Sequence, residues 1–153
     1  MATCFEGSNP SSSAKLGYNE YMEPSIFTRI INGEIPCHKV YEDESVFAFL
    51  DISPVMPGMV VVASKEQTDN FEELSADMYL GLWLSVQKIT KALRKTFPGA
   101  VKVAVQVEGL EVAHAHVKLF PFSTPAEFHA SAPPGDPDHV ELAKISEKIR
   151  SKI

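Results

Sequence analysis

The chain is short of cysteine and has no long apolar stretch, and both shortages narrow the classes of protein it can belong to. Its 153 residues include two cysteines, Cys4 and Cys37, whose separation does not match a metal-ligand pattern. No apolar run reaches the roughly 18 residues that a membrane span needs, and no charged-then-apolar leader opens the chain. We therefore expect a reduced, cytoplasmic protein with no membrane partner.

Basic residues are scarce as well. The chain has 14 Lys and Arg against 20 Asp and Glu, a formal net charge of −6, and no basic block. This composition argues against extended, sequence-independent binding of nucleic acid. A small anionic ligand remains compatible, because a local site can be positive on an acidic protein. With 44% hydrophobic residues the chain is long enough for one well-packed domain and too short for two.

Composition divides the chain into three segments. Residues 1–24 are poor in aliphatic side chains and are predicted to be a flexible N-terminal extension. Residues 25–122 form the predicted domain. Residues 123–153 form a proline-rich loop and a C-terminal helix, which is expected to begin at Asp136-Pro137, to run towards Lys152 and to bury a stripe of Leu142, Ile145 and Ile149.

Local patterns predict two helices and five strands within the domain. A short helix is expected over 26–32, with Ser25 as its N-cap and Gly33 at its end. A long helix is expected over 75–97, capped by Ser75, with a buried stripe from Tyr79 to Phe97. Strands are predicted over 38–41, 46–50, 59–63, 101–107 and 112–120. This order indicates an α+β fold with a mostly antiparallel sheet.

The last predicted strand carries two histidines and a lysine at alternate positions. Because successive side chains of a strand point to opposite faces, His114, His116 and Lys118 should share one face, opposite Ala115 and Val117. Three explanations are open at this point. The face is simply solvated, or the histidines supply two metal ligands beside a repelling Lys118. Alternatively, a neutral imidazole attacks a phosphoryl centre whose charge the neighbouring side chains bind.

Four segments together resemble the histidine triad (HIT) family, in its Hint-like nucleotide hydrolase branch. Residues 114–121 (HAHVKLFP) are similar to the triad itself, in which three histidines alternate with apolar residues. Residues 25–36 (SIFTRIINGEIP) resemble the opening helix and turn of the family. Residues 50–58 (LDISPVMPG) resemble its second motif, and residues 109–112 (GLEV) its approach to the triad. The resemblance covers roughly residues 25–122.

The resemblance implies a fold, an activity and partners. The fold is a HIT-like five-stranded sheet with one long helix and a shorter N-terminal helix, in a homodimer paired through the long helix. The activity is that of a nucleotide-binding hydrolase or nucleotidyl transferase, without a cofactor, acting at the α-phosphate of a purine nucleotide or nucleoside phosphoramidate. His116 is implied to attack and to carry the nucleotidyl group, and His114 is implied to orient it and support the phosphate.

The resemblance also implies which residues bind the nucleotide. Asp51 stands at the position that hydrogen-bonds the ribose hydroxyls, and Gly109 would let the backbone approach the phosphate. The implied apolar pocket for the base consists of Ile26, Phe27, Ile30, Ile35, Phe49 and Ile52. By periodicity alone each of these apolar residues could equally belong to the core.

The chain departs from the family pattern at several positions. Lys118 replaces the third histidine, and its ammonium would hold a phosphate oxygen but donate a proton less readily than an imidazolium. Ser25 and Thr28 stand where some members carry a zinc-binding cysteine pair, so no metal is expected. Further departures are Met59 and Gln67, which replace histidines, and Leu110, which replaces a polar residue.

These departures leave two other hypotheses beside the hydrolase. The first is a nucleotide-binding protein with weak or no catalysis, because the triad is incomplete. The second is an interaction protein in which the sheet and the long helix serve only for dimerisation. Binding of a purine nucleotide would argue against the second of these.

Overall fold

The computed structural model describes residues 23–153, so nearly all of the predicted N-terminal extension lies outside the described residues. The strands are β1 (Lys39–Glu42), β2 (Val46–Leu50), β3 (Val60–Ser64), β4 (Lys102–Val107) and β5 (His116–Phe122). The helices are α1 (Ile26–Ile31), α2 (Ala76–Thr96), α3 (Pro125–Phe128) and α4 (His139–Arg150), and a 3₁₀ turn (Phe71–Glu73) precedes α2. The division of the chain at residues 24 and 122 stays a prediction.

The five strands form one sheet in the order β1-β2-β3-β5-β4, and every neighbouring pair is antiparallel. The predicted α+β class and five-stranded sheet are therefore confirmed. β5 lies between β3 and β4, with Ala63 opposite His116 and Val61 opposite Lys118. β4 lies at the edge of the sheet. Within residues 23–153, no helix combines the length and the apolar character needed to cross a membrane.

The sheet buries a different cluster of side chains on each face. On one face Ala115, Val117 and Leu119 pack in a large core with residues of α2 and α4. On the other face Phe27 of α1 packs with Phe49 and its neighbours. The histidines lie on this second face, because the Phe27 ring makes edge contacts with both His114 and His116. The predicted alternation of side chains around the two histidines is confirmed.

The prediction that the last strand begins at residue 112 is wrong. β5 begins at His116, and the residues before it form a turn in which the His114 N–H donates to the Val112 carbonyl at 2.8 Å. The next N–H, of Ala115, donates to Thr68 O at 2.6 Å and not to a neighbouring strand. Alternation of apolar and polar residues indicates the face of each side chain. It does not indicate which backbone group lies opposite.

The helix boundaries also differ from the predictions at two ends. Ser75 does not cap α2, because its hydroxyl donates to Glu66 Oε2 at 2.9 Å and makes no capping bond. α4 begins at His139, two residues later than predicted, because the Asp138 carboxylate accepts the N–H groups of its first turn. Along the predicted stripe of α2, Leu82, Val86, Ile89 and Leu93 are buried, whereas Trp83 and Phe97 are partly buried and Tyr79 is 38% exposed.

The segment that follows β5 was predicted as a loop and contains the short helix α3. Thr124 and Glu127 form a reciprocal capping box around it, which explains how four residues hold a helical turn. In α4, Leu142 and Ile149 are buried as predicted, and Ile145 is partly buried against the same core.

Candidate active site

His114 is completely buried between α1 and the sheet, and both of its ring nitrogens have protein partners. Nε2 lies 2.7 Å from the Ser64 carbonyl oxygen, and Nδ1 lies 2.7 Å from Ser25 Oγ. Because a carbonyl only accepts, Nε2 carries the ring proton and the Ser25 hydroxyl donates to Nδ1. Burial lowers the pKa of His114, which keeps the ring neutral at pH 7.

Ser25 belongs to a group of four hydrogen-bonded side chains that we call the serine–glutamine network: Ser25, Thr28, Gln67 and His114. Gln67 Oε1 accepts from the Ser25 N–H at 3.0 Å and from the Thr28 hydroxyl. Gln67 Nε2 donates to the carbonyl of Glu23 at 3.0 Å. Ser25 Oγ also accepts from the Thr28 N–H at 3.1 Å, the predicted N-cap of α1. The network ties the start of α1 to the segment that enters β5.

The sequence analysis identified Ser25, Thr28 and Gln67 only as departures from a family pattern and missed this network. Their side-chain types could have indicated the network, because hydroxyl and amide groups that lie close together can hydrogen-bond to one another without a metal. Among residues 23–153, no three His, Cys, Asp or Glu side chains lie close enough together to hold a metal ion.

His116 is 3% exposed and is the first residue of β5. Its Nδ1 lies 2.6 Å from the His114 carbonyl oxygen, which can only accept, so Nδ1 carries the proton and Nε2 has a lone pair. Burial is the largest cause that lowers the pKa of His116, and Lys118 lowers it further. The bond to His114 O, Glu108 and Asp51 act in the opposite direction. A neutral ring with its basic nitrogen at Nε2 is a competent nucleophile.

Lys118 is paired with Glu108, an acidic residue that the sequence analysis did not identify as part of the site. Lys118 Nζ lies 3.4 Å from Glu108 Oε2, and the lysine side chain is 19% exposed. The other oxygen, Glu108 Oε1, accepts the Leu110 N–H at 2.7 Å. That backbone bond is the largest cause that lowers the pKa of Glu108, and Lys118 lowers it further. The carboxylate is therefore ionised at neutral pH.

The remaining predicted residues fall into two groups. Phe27, Ile30 and Phe49 form a buried apolar cluster on the face of the histidines, with Ile35 packed against it. Asp51 lies near enough to His116 to influence its pKa. Ile26 and Ile52 are about half exposed, at 49% and 52%.

Ile52 lines a groove together with Leu142 and Ile145 of α4 and prolines of the loops on either side. Gly109 and Leu110 lie in the exposed loop between β4 and β5, and the Leu110 side chain is 95% exposed. A side chain at position 109 would meet open space.

Comparison with known proteins agrees with this geometry. A model of the HIT domain matches residues 32–124. A HIT-like protein of Methanocaldococcus jannaschii is 41% identical over 99 residues, which cover 63% of this chain and 77% of that protein. The adenosine 5'-monophosphoramidase hnt1 of Schizosaccharomyces pombe is 31% identical over 133 residues, covering 84% of this chain and 97% of that protein.

A solved structure is also similar to this chain. The crystal structure of a Hit-like protein involved in cell-cycle regulation from Bartonella henselae superposes with a TM-score of 0.75 and 29% sequence identity. The superposition covers 88% of this chain and all of that one. It confirms the fold that the sequence resemblance implied.

The serine–glutamine network predicts that Ser25→Ala destabilises the protein. The substitution removes the N-cap of α1 and leaves a buried imidazole nitrogen without its donor, which together should lower the free energy of unfolding by about 2 kcal/mol. Urea unfolding would measure the change. Ser25→Thr keeps the hydroxyl and should retain most of the stability, and Ser131→Ala, at an exposed serine, is the control. Equal stability of Ser25→Ala and wild type would contradict the prediction.

Proposed function

The chain belongs to the HIT family, and we propose that it is a nucleotide hydrolase of the Hint-like branch. Its proposed substrate is a purine nucleoside phosphoramidate, or a related nucleotide with a leaving group on the α-phosphate. The observation that supports this most directly is the state of His116, a neutral ring with its proton fixed on Nδ1 and its lone pair on Nε2. The relative from Schizosaccharomyces pombe is an adenosine 5'-monophosphoramidase, which supports the substrate class.

The proposed reaction has two displacements at phosphorus. His116 Nε2 attacks the α-phosphorus, the bond from phosphorus to the leaving group breaks, and the leaving amine takes up a proton. Water then attacks the nucleotidyl-His116 intermediate, which releases a nucleoside monophosphate and restores the neutral ring. His114 acts as the residue that orients His116, since its carbonyl accepts from Nδ1 and both of its ring nitrogens are already bonded.

The proposed nucleotide position follows from the residues around His116. The base lies against Phe27, Ile30, Ile35 and Phe49, with Ile26 at the exposed rim. This placement is supported by Phe27, whose ring is 4.9 Å from the His116 ring and 5.5 Å from the Phe49 ring, centroid to centroid. Asp51 accepts from the ribose hydroxyls, and the backbone at Gly109 approaches the phosphate. Ile52, which is 52% exposed, belongs to the proposed pocket as a second residue at its rim.

We expect His116→Ala to abolish hydrolysis, because it removes the attacking nitrogen. The assay is incubation with adenosine 5'-phosphoramidate and chromatographic measurement of the AMP released. The rate should fall at least about a hundredfold. His129→Ala removes an exposed histidine of the same chain and should retain the wild-type rate. Equal activity of wild type and His116→Ala would disprove the proposed nucleophile.

The second candidate is a nucleotide-binding protein with little turnover. It is favoured by Lys118, which stands at the third triad position and is bound to Glu108. An ammonium donates a proton less readily than an imidazolium, so a step that needs a proton from this position would be slow.

Replacing Lys118 by histidine separates the two candidates. If the wild type is a hydrolase, its turnover should lie within about tenfold of the Lys118→His variant, because a general acid at this position would otherwise contribute about a hundredfold or more. Single-turnover rates and AMP affinity are measured for both proteins. A hundredfold gain in rate with unchanged affinity would assign the wild type to nucleotide binding.

We further propose that the protein is a homodimer and is cytoplasmic. Within residues 23–153 no strand pairs with the outer side of β4, which leaves backbone N–H and C=O groups available there, and Val105 and Val107 on it are 45% and 47% exposed. The Arg94 guanidinium donates to Val101 O at 3.0 Å, so that side of α2 faces the start of β4. Trp83, which is half-buried, lies on the same side of α2, nearer the start of the helix. A second copy would cover this surface.

A charge on that surface should separate the copies. Val105→Lys places an ammonium at the centre of the exposed edge, so sedimentation should change from a dimer to a monomer of 16.8 kDa. Val140→Lys introduces the same charge on α4, at a valine that is 68% exposed, and should leave the dimer intact. A wild type that sediments as a monomer would disprove the dimer and would leave the hydrolase proposal standing.

A further inference from the structure

Glu108 lies beside the nucleophile as well as beside Lys118. Val107 of β4 is opposite Val117 of β5, so the next position along the two chains places Glu108 across from His116. Side chains directly opposite each other in an antiparallel pair project from the same face, with Cβ atoms about 5 Å apart. The carboxylate is therefore a lateral neighbour of the imidazole on the face where a phosphate would bind.

The carboxylate is fixed in this position and ionised. Glu108 Oε1 accepts the Leu110 N–H at 2.7 Å, and Oε2 lies 3.4 Å from Lys118 Nζ. Both contacts favour the charged form of the carboxyl. A phosphate that reaches His116 thus meets a lysine whose charge is already balanced by a carboxylate.

The charged groups around His116 sum to an excess of negative charge. Lys118 contributes one positive charge, and Glu108 and Asp51 contribute one negative charge each, while His114 and His116 are neutral at pH 7. A site of this kind tolerates a ligand with one negative charge and penalises a second charge at the same phosphorus, because like charges at short range repel. Taken alone, the lysine at the third triad position would have suggested that the site prefers a phosphate with two negative charges.

We propose that Glu108 is a specificity-determining residue, which selects an α-phosphate with one negative charge and disfavours one with two. The inference rests on the proposed nucleotide site. The α-phosphate of a phosphoramidate ester carries one charge, whereas the monophosphate released by hydrolysis carries between one and two at pH 7, since a phosphate monoester has a second pKa near 6. Glu108 therefore admits the substrate and hastens release of the product.

The test compares two ligands that differ by one charge at phosphorus. Isothermal titration at pH 8 measures the affinities for AMP and for adenosine 5'-methylphosphonate, which has one charge and no leaving group besides adenosine. The wild type should bind AMP no more tightly than the methylphosphonate. Glu108→Gln should raise the ratio of AMP affinity to methylphosphonate affinity about tenfold, because it removes the repulsion that acts on the second charge.

Two controls isolate the carboxylate. Glu111→Gln removes the same charge from an exposed residue of the same loop and should leave the ratio unchanged. Glu108→Asp keeps the charge and should keep the affinity ratio near the wild-type value. This variant can be measured even if Glu108→Gln folds poorly. Lowering the pH from 8 to 5.5 should raise the wild-type ratio, as AMP takes up its second proton.

The outcomes distinguish this inference from the proposed function. A ratio unchanged by Glu108→Gln, or raised equally by Glu111→Gln, would overturn the role of Glu108 while leaving the nucleotide site in place. Wild-type protein that binds neither ligand would overturn both proposals. Charge-selective binding without hydrolysis of a phosphoramidate would support the role of Glu108 and remove only the catalytic proposal.

Discussion

The buried ring of His114 is the contact on which the rest of the candidate site depends. Its two nitrogens bond to Ser25 and to Ser64, residues that are 89 and 50 positions away in the chain, at 2.7 Å each. An imidazole bonded at both nitrogens has one orientation and one tautomer. Its own carbonyl then accepts the Nδ1 proton of His116, so this bond determines that Nε2 of His116 keeps its lone pair.

This arrangement explains why the first turn of α1 matters to a site on β5. Ser25 caps the helix and holds His114 with the same hydroxyl, and Gln67 holds Ser25 from the loop after β3. Helix, loop and strand are thus connected by hydrogen bonds inside a region with little solvent, where each bond that is lost leaves a buried polar group unsatisfied. The geometry of the site and the stability of the fold share the same contacts.

The charged part of the site follows a different principle. Lys118 supplies a cation, and Glu108 balances it at 3.4 Å. The lysine side chain is 19% exposed and that of Glu108 is 36% exposed, so the pair lies on the partly exposed side of the site. The chain belongs to the HIT family. Within this fold the pair of Lys118 and Glu108 determines the local charge beside His116.

The sequence alone determined the α+β class, the strands β2 and β3, the helices α1 and α2 and the alternation that places both histidines on one face. These features depend on periodicity and on capping residues within a few positions of one another, such as Ser25 before Ile26. Only the tertiary structure decided that β5 begins at His116, that Ser25 bonds His114, and that Glu108 lies beside Lys118. Each of these depends on which segments pair across the sheet and between the sheet and α1, often tens of residues apart, and local patterns carry no information about that pairing.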